Sequence, residues 1–588
     1  MTNDQRLTTE ILVVGGGTGG TAAALQAARK GAQVILVSEF PWLGGMLTSA
    51  GVAAPDGNEI LPLQTGIWGA YVRELQQRQK EGLDQNWVSL FGYNPRLGAE
   101  IFADWVAELP NLQWLQHQTP QRMIKQENRV VGVEFEDYEI FAQIIIDGTE
   151  LGDLLALGGI SHRWGWELQN EYNEPSAPTE FNELTERYPV QSPTWVFLLQ
   201  DYGENNTAPP ISAPKLDVLP DFEGAWQGYG LEKFLNYGRL PGGLFMINWP
   251  QCGNDYGRDL NRLIGSESER VAYHQEAFDY SLSFAYYLQK QGGDRYGIAQ
   301  DVFPNPQNSG FALHPYYRES RRLQGLQTIT ELDLLPQTGG CVASLPMNEK
   351  GEISSIAIGN YANDHHYPGV KFPLQPKSMR WGGRWTGTPF SIPYESLVPE
   401  TIDGFLVCEK NISVSHIANG STRLQPTVLN IGQAAGMAAA LCVQLGCQPR
   451  DLAPRQVQEG LLQDTIAPAA VIPLLNLPPN HPRWLHWQQY YLDNPANYPR
   501  DGNCPLDADF SEEREIGTFH TGMLRKLANG GYSLQLYYSA ASKKSWALIT
   551  TSPTVKRKLE SCRDREMISV WGCCNHAGGW LVVYQLGQ

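Results

Sequence analysis

Ile11-Leu12-Val13-Val14-Gly15-Gly16-Gly17-Thr18-Gly19-Gly20 is the stretch from which the rest of the chain is read. Its four aliphatic residues predict a short buried strand. Gly15, Gly17 and Gly20 then stand at the three glycine positions of a G-x-G-x-x-G turn. An alanine-rich helix is expected over Thr21–Lys30, ended by Gly31, and a second strand over Val34–Val37 that leads to Ser38-Glu39. Each part has a physical task. Gly15 permits the tight turn, Gly17 lets the backbone approach a pyrophosphate, and Gly20 lets the helix lie close to the strand. The helix start, with Thr18, offers free N–H groups and a positive dipole end to phosphates. Glu39, 19 residues beyond Gly20, can accept hydrogen bonds from ribose hydroxyls. A lone glycine motif says little, but a complete strand–turn–helix–strand–acid unit predicts a dinucleotide site.

The 588-residue chain is too long for one core, so two or three domains are expected. A net charge of −18 opposes a nucleic-acid or anionic-membrane partner. No signal core and no 18-residue apolar run is read, so no membrane span is expected. Nine scattered cysteines without a C-x-x-C pair suggest reduced thiols and a cytoplasmic location. Cys573-Cys574-Asn575-His576 has no second ligand pair nearby, so no metal is expected. Seventeen Trp and 26 Tyr are either ordinary core and surface aromatics or the floor of a polar, sugar-like site.

In chain order, Leu43-Gly44-Gly45-Met46-Leu47 forms a loop able to wrap a cofactor with Gly44, Gly45 and Met46. The strand Ala142–Asp147 ends in a second glycine turn at Gly148, followed by a helix start at Asp153. Such a turn suits a long cofactor passing more than one strand end. Between about 160 and 390, Pro, Asn, Tyr and Trp become frequent and the alternating pattern stops. Tyr316–Arg322 lies here; on a helix, Arg318 and Arg322 would share a face and clamp an anionic substrate, or form a salt-bridged interdomain helix. His365 and His366 are adjacent, a poor metal pair, although one could act as acid or base. The strand Gly404–Cys408, His416, Arg423 and the small-residue helix Asn430–Leu441 return to the α/β pattern. That helix, with Gly432 and Gln433 near its start, could aim its dipole at a flavin ring. Residues past 450 are proline-rich and then read as four short strands, 532–538, 546–549, 567–571 and 580–584, a β-rich appendage that names no function.

Taken together these motifs resemble the FAD-dependent oxidoreductases of the glutathione-reductase-like superfamily, over roughly residues 10–160 and 310–446. Two motifs depart from that family. Gly148-Thr149-Glu150 stands where Ala-Thr-Gly is usual, and Cys408-Glu409-Lys410 where Ala-Gly-Arg is usual. The resemblance implies a Rossmann-like FAD-binding domain in two parts (1–160 and 389–450), an inserted substrate domain (161–388) and a C-terminal appendage (451–588). The cofactor would be FAD, held by Gly15, Gly17, Thr18, Gly20, Glu39, Gly44, Gly45, Met46, Gly148, Asp153, Gly432 and Gln433. The expected reaction is hydride transfer between a small polar substrate and flavin N5, with an electron acceptor that the residues do not identify. His416 is the first candidate base, since it lies between the late strand and the helix; His365 is the second. Arg318 and Arg423 would hold substrate charge or stabilise the reduced ring. Two other readings stay open: a tRNA-modifying flavoprotein, and a protein in which FAD is not catalytic.

Overall fold

A computed structural model describes residues 5–216, 218–505, 517–539 and 542–587. The first four residues of the polar N-terminal stretch therefore lie outside the described residues. The opening unit forms as expected: strand β1 (Gln5–Val14), helix α1 (Thr18–Arg29) and strand β2 (Val34–Ser38). β1 reaches back further than its aliphatic run, because polar Gln5–Thr9 pair with Tyr138–Ala142. α1 starts at Thr18, three residues earlier than expected. Four more strands complete the path: β3 (Leu112–Gln116), β4 (Arg122–Gln126), β5 (Arg129–Glu134) and β6 (Tyr138–Asp147). The order across the sheet is β3-β2-β1-β6-β5-β4, and Phe405–Val407 adds to β6 as a seventh strand.

Register decides where the chemistry can sit. Val14 lies beside Val37 on one side and Asp147 on the other, and Val407 lies beside Asp147. Four parallel strands thus end level, at Gly15, Ser38, Gly148 and Cys408. In open parallel sheets that edge is the ligand-binding crevice. β6 serves two partners: residues 139–141 pair antiparallel with β5, and 145–147 pair parallel with Phe405–Val407. The strands bury both faces, so they read as unbroken aliphatic runs such as Ile11–Val14 and Ile144–Ile146.

One face of the sheet is covered by α1 and the helix Gln425–Leu445, longer at both ends than expected. Glycine allows the two helices to meet at the backbone. A Cβ on Gly432 would overlap the carbonyl of Gly19, and one on Gly436 that of Ala23. The helix Gln425–Leu445 is long and apolar enough to cross a membrane, with mean hydropathy 1.5, yet 78% of that window is buried in this core.

The segment 161–388 builds an antiparallel sheet ordered Tyr296–Ile298, Phe197–Asp201, Leu244–Ile247, Arg239–Leu240. The helix Glu267–Gly292 packs beside it, opened by a capping box between Ser266 and Glu269. Phe197, Phe222, Phe234, Phe284 and Trp249 fill their interface. The helix considered for Tyr316–Arg322 does not form. The segment is extended, and Arg322-Leu323 pairs with His162-Arg163. Its arginines point to different carboxylates, so no shared helical face exists. Among the described residues, the C-terminal region holds five strands rather than four, with Thr518–Lys526 added, and they close into a barrel.

The helix contact is testable. Gly432→Ala must push two backbones apart and should destabilise the protein by about 1–3 kcal/mol, the usual cost of overpacking. Chemical denaturation followed by circular dichroism measures this.

Candidate active site and cofactor groove

At the level strand ends the backbone is arranged as a cradle. Gly15 has φ +106°, and a Cβ there would overlap the Gly148 carbonyl. Gly17 caps α1 without a side-chain hydrogen bond of its own, and a Cβ there would meet Glu409 and the Gly148 carbonyl. Gly44 (φ +103°) turns the next loop back onto it. Thr18 fastens the two: its hydroxyl donates to the Gly44 carbonyl (2.9 Å) and accepts from the Met46 N–H (3.1 Å). Met46 is wholly buried, so it packs beneath the cradle. Glu39 is exposed along the groove although protein surrounds it; burial, then Asp153, pushes its carboxyl up to about 7. Asp153 pairs with Arg321 (3.2 Å) and with Arg270 (3.5 Å) of the helix Glu267–Gly292, so this end of the groove is bridged by cations.

The two departures from the family pattern meet in space. Glu150 and Glu409 flank Lys410, whose Nζ lies 2.6 Å and 3.1 Å from them. Glu409 also accepts the Gly19 N–H at 2.6 Å, at the start of α1. Lys410 stands where the family has arginine, so a cation is retained and offsets the added Glu150. Burial works against its charge, but Glu150 and Glu409 hold its pKa above the usual range.

Buried polar groups normally find partners. Around the start of the helix Gln425–Leu445, several have none. They are both amide atoms of Asn363, both of Asn430, Asn419 Oδ1, Gln425 Oε1, Thr427 Oγ1 and Arg423 Nε. Glu150 Oε1, beside the cradle, is another. A polar, extended ligand running from Glu39 past the cradle to that helix start fits this distribution, and FAD has the required length and polarity. Gly432 and Gln433 are corrected: neither is aimed at that path. Gly432 is the helix-contact glycine. Gln433 donates to Gln26 (2.9 Å) and the Ala467 carbonyl (2.7 Å) and accepts from the Ile67 N–H (2.9 Å), so its amide is spent on packing.

Beyond the helix start lies a recess walled by half-buried Tyr361–His366, Asp56 and Tyr237. Asp364 keeps 44% of its side chain accessible there. Its Oδ2 is 2.9 Å from His366 Nε2 and 3.5 Å from Arg423. The other ring nitrogen of His366 faces Asp255 (2.7 Å), and Asp255 in turn pairs with Arg318 (3.1 Å). Burial alone would raise both carboxylates. His366, Arg423 and Arg318 instead hold Asp364 well below its ordinary range, and Arg318 with His366 holds Asp255 at about 2. Asp56 moves the opposite way: burial, then the Glu59 charge, pushes it up to about 8. One recess thus offers an ionised and a protonated carboxyl, the separation that acid–base chemistry uses.

The expected catalytic residues divide. Arg423 reaches the recess and donates to the Tyr316 hydroxyl (2.6 Å). Arg318 is buried behind Asp255, also donating to Thr194 (2.8 Å) and Asn248 (3.1 Å), so it reaches the recess by its charge and not by contact with a substrate. His416 is buried, with Nδ1 2.9 Å from Glu319 and Nε2 2.6 Å from the Tyr367 hydroxyl. Burial, then Arg322, holds its pKa well below the usual value. As placed, it has no ring nitrogen free for a substrate. His365 bonds Tyr367 (2.7 Å) and the Ile417 carbonyl (3.1 Å), and burial lowers it to about 3. Asp56, Asp255, Asp364 and His366 were not singled out as site residues, since they come from three distant segments with no shared motif. Among the described residues, no group of three or more His, Cys, Asp or Glu is placed to hold a metal.

Similar solved structures include a geranylgeranyl bacteriochlorophyll reductase-like protein from Thermoplasma acidophilum. It is 11% identical, over 78% of this chain and 83% of that one, with TM-score 0.31. Thioredoxin reductase from T. acidophilum is 19% identical over 28% and 40%, with TM-score 0.16. GidA from Aquifex aeolicus is 20% identical over 24% of this chain, with TM-score 0.17, and the match spans 25% of the GidA chain. No curated protein matches the chain. The family described as FAD dependent oxidoreductase matches residues 10–461, which include the cradle, the groove and the recess. The chain belongs to the FAD dependent oxidoreductase family, and its cofactor is FAD.

Proposed function

We propose that this oxidoreductase transfers a hydride between a C–H bond of a small polar substrate and the flavin, in the recess that Asp364 faces. The observation that carries this reading is Asp364 itself: an accessible carboxylate held in its charged form by His366 and Arg423. Bound FAD supplies a two-electron hydride acceptor or donor. The Gly15–Gly17 turn and Gly148 would lie against its pyrophosphate and Glu39 against its ribose. The start of the helix Gln425–Leu445 would lie against its ring system.

This chain's own residues then handle charge and protons. Oxidation of an alcohol or amine requires removal of an O–H or N–H proton; Asp364, held ionised, accepts the hydrogen bond of that O–H or N–H and orients it, and the proton leaves to solvent past the accessible side of the carboxylate. His366, fixed between Asp364 and Asp255, steadies the carboxylate. Arg423 holds a polar or anionic oxygen of the substrate. Protonated Asp56 donates a hydrogen bond from another part of the wall. His416 is a positioning residue: it fixes Tyr367 and Glu319 behind the wall.

Asp364→Asn should keep bound FAD and slow substrate-driven flavin reduction by about 10²-fold, the usual cost of losing the alignment of a reacting group. Anaerobic stopped-flow against a panel of polyols, hydroxy acids and amines reads this. An unchanged rate in every responsive substrate would remove Asp364 from the mechanism.

Asp56 makes a pH prediction. Its carboxyl binds a proton more tightly in the folded chain, so the stability it contributes is complete at acid pH and is lost as pH rises through about 8. Activity should fall over the same range, and Asp56→Asn should remove that alkaline limb from the rate profile.

Glu39→Ala should weaken FAD binding by about 1–3 kcal/mol, the range for losing a charged hydrogen-bond partner. Titration of the apoprotein by flavin fluorescence quenching measures this.

A further inference from the structure

The barrel formed by residues 517–587 takes no part in the flavin site. Its strands in chain order are Thr518–Lys526, Tyr532–Ser539, Ser542–Ile549, Met567–Asn575 and Trp580–Leu586. Around the barrel they run first, second, third, fifth, fourth, and the fourth closes on the first. The third and fifth are parallel, and all other pairs are antiparallel. The helix Pro553–Ser561 connects the third to the fourth. That is the topology of an OB barrel, a scaffold that binds oligonucleotides or oligosaccharides, usually across its second and third strands and the adjoining loops; here the exposed aromatic row lies on the first and fourth strands. We propose that this barrel docks single-stranded nucleic acid.

Charge favours the nucleic acid over the sugar. Residues 517–588 carry nine Lys and Arg against three Asp and Glu, a net +6, so the preceding 516 residues hold −24 of the chain's −18 total. The overall charge, which argues against such a partner, conceals a basic module on an acidic body. A phosphate backbone would be drawn to the barrel and repelled from the rest of the chain.

The free surface carries the matching chemistry. Phe519 lies directly across from Trp571 on the neighbouring strand, with ring centroids 5.1 Å apart. They are 52% and 37% exposed. Side chains two residues apart share a face, and the same outward row continues through Thr521 opposite Ser569 and Met523 opposite Met567. It ends at half-buried Arg525. Exposed aromatics beside hydroxyls and an arginine suit stacked bases and their phosphates. Among the described residues, the body does not cover this row. It holds the barrel elsewhere: Asn575 donates to Asp84 (2.5 Å) and the Asn86 carbonyl (2.6 Å), and the Thr550 N–H donates to the Gly382 carbonyl (2.8 Å).

The test uses the full-length, FAD-loaded protein and fluorescence anisotropy. The probes are labelled oligo-U and oligo-dT of about 12 nucleotides, within the usual site size of such barrels. Both single strands should bind at low salt and weaken as salt rises. Preference for oligo-U would identify RNA as the ligand through its 2′-hydroxyls, and equal binding would identify any single strand. Phe519→Ala and Trp571→Ala should each weaken binding about 10-fold, the order expected for losing one stacked base. Arg525→Glu should weaken it and reduce its salt dependence. Flavin absorbance should be unchanged in all three variants, which reports that the body remains folded. The proposal is overturned if neither oligonucleotide binds at low salt, or if a duplex of equal length binds as well. Full affinity in both aromatic variants would also overturn it. So would displacement of the probe by a neutral oligosaccharide, or masking of the row by self-association that Trp571→Ala abolishes.

Discussion

The architecture depends on a contact between two backbones more than 400 residues apart in sequence. Gly19 in α1 and Gly432 in the late helix touch without side chains between them. That approach draws the late helix and its preceding strand, Phe405–Val407, onto the sheet begun by Ile11–Val14. Four strand ends and two helix starts then converge on one crevice. Everything inserted between residues 148 and 405 must leave that crevice and return to it. This is why Asp255 and Asp364 can come back to join Asp56 in the recess, although the three have no proximity in the chain.

Inside the crevice, charge is balanced locally rather than diluted by solvent. Lys410 sits between Glu150 and Glu409 beside the cradle, and Asp153 between Arg270 and Arg321 along the groove. Arg318, Asp255, His366, Asp364 and Arg423 form one connected series, in which Asp364 is the accessible member. Removing one member of such a buried series leaves the next uncompensated, a cost of several kcal/mol. The series therefore holds Asp364 ionised and also fixes where its carboxylate points. The parallel buried set of Glu167, Arg322, Glu319 and His416 has no accessible member. This difference separates a site that can meet a substrate from one that braces the wall.

How much the residues revealed follows from how local each feature is. The cradle and its acid were legible because every part lies within Ile11–Glu39 and each glycine answers a local steric demand. Family membership was legible because several such local units recur in order. The recess was not, since Asp56, Asp255 and Asp364 become neighbours only through the tertiary fold. Tyr316–Arg322 suggested a helical clamp because its spacing permits one. Its arginines are instead drawn outward to Asp255, Asp153 and Glu167, and an extended backbone serves those three targets. His416 stood out by its position, but position does not reveal that Glu319 and Tyr367 occupy both ring nitrogens. The first barrel strand went unread because Thr518–Lys526 buries only Gly522 and Leu524 while Phe519 and Met523 face outward, which left no apolar alternation.

The central claim is that one continuous path, from Glu39 past the Gly15–Gly17 cradle to the recess at Asp364, holds the cofactor and the reacting substrate. A crystal structure of the FAD-loaded protein tests it most directly. The account predicts the adenosine beside Glu39, the pyrophosphate at the start of α1, and the flavin ring at the start of the helix Gln425–Leu445 with its reacting face open to Asp364. A ring seated outside the recess, or an Asp364 carboxylate walled off from it, would contradict the account.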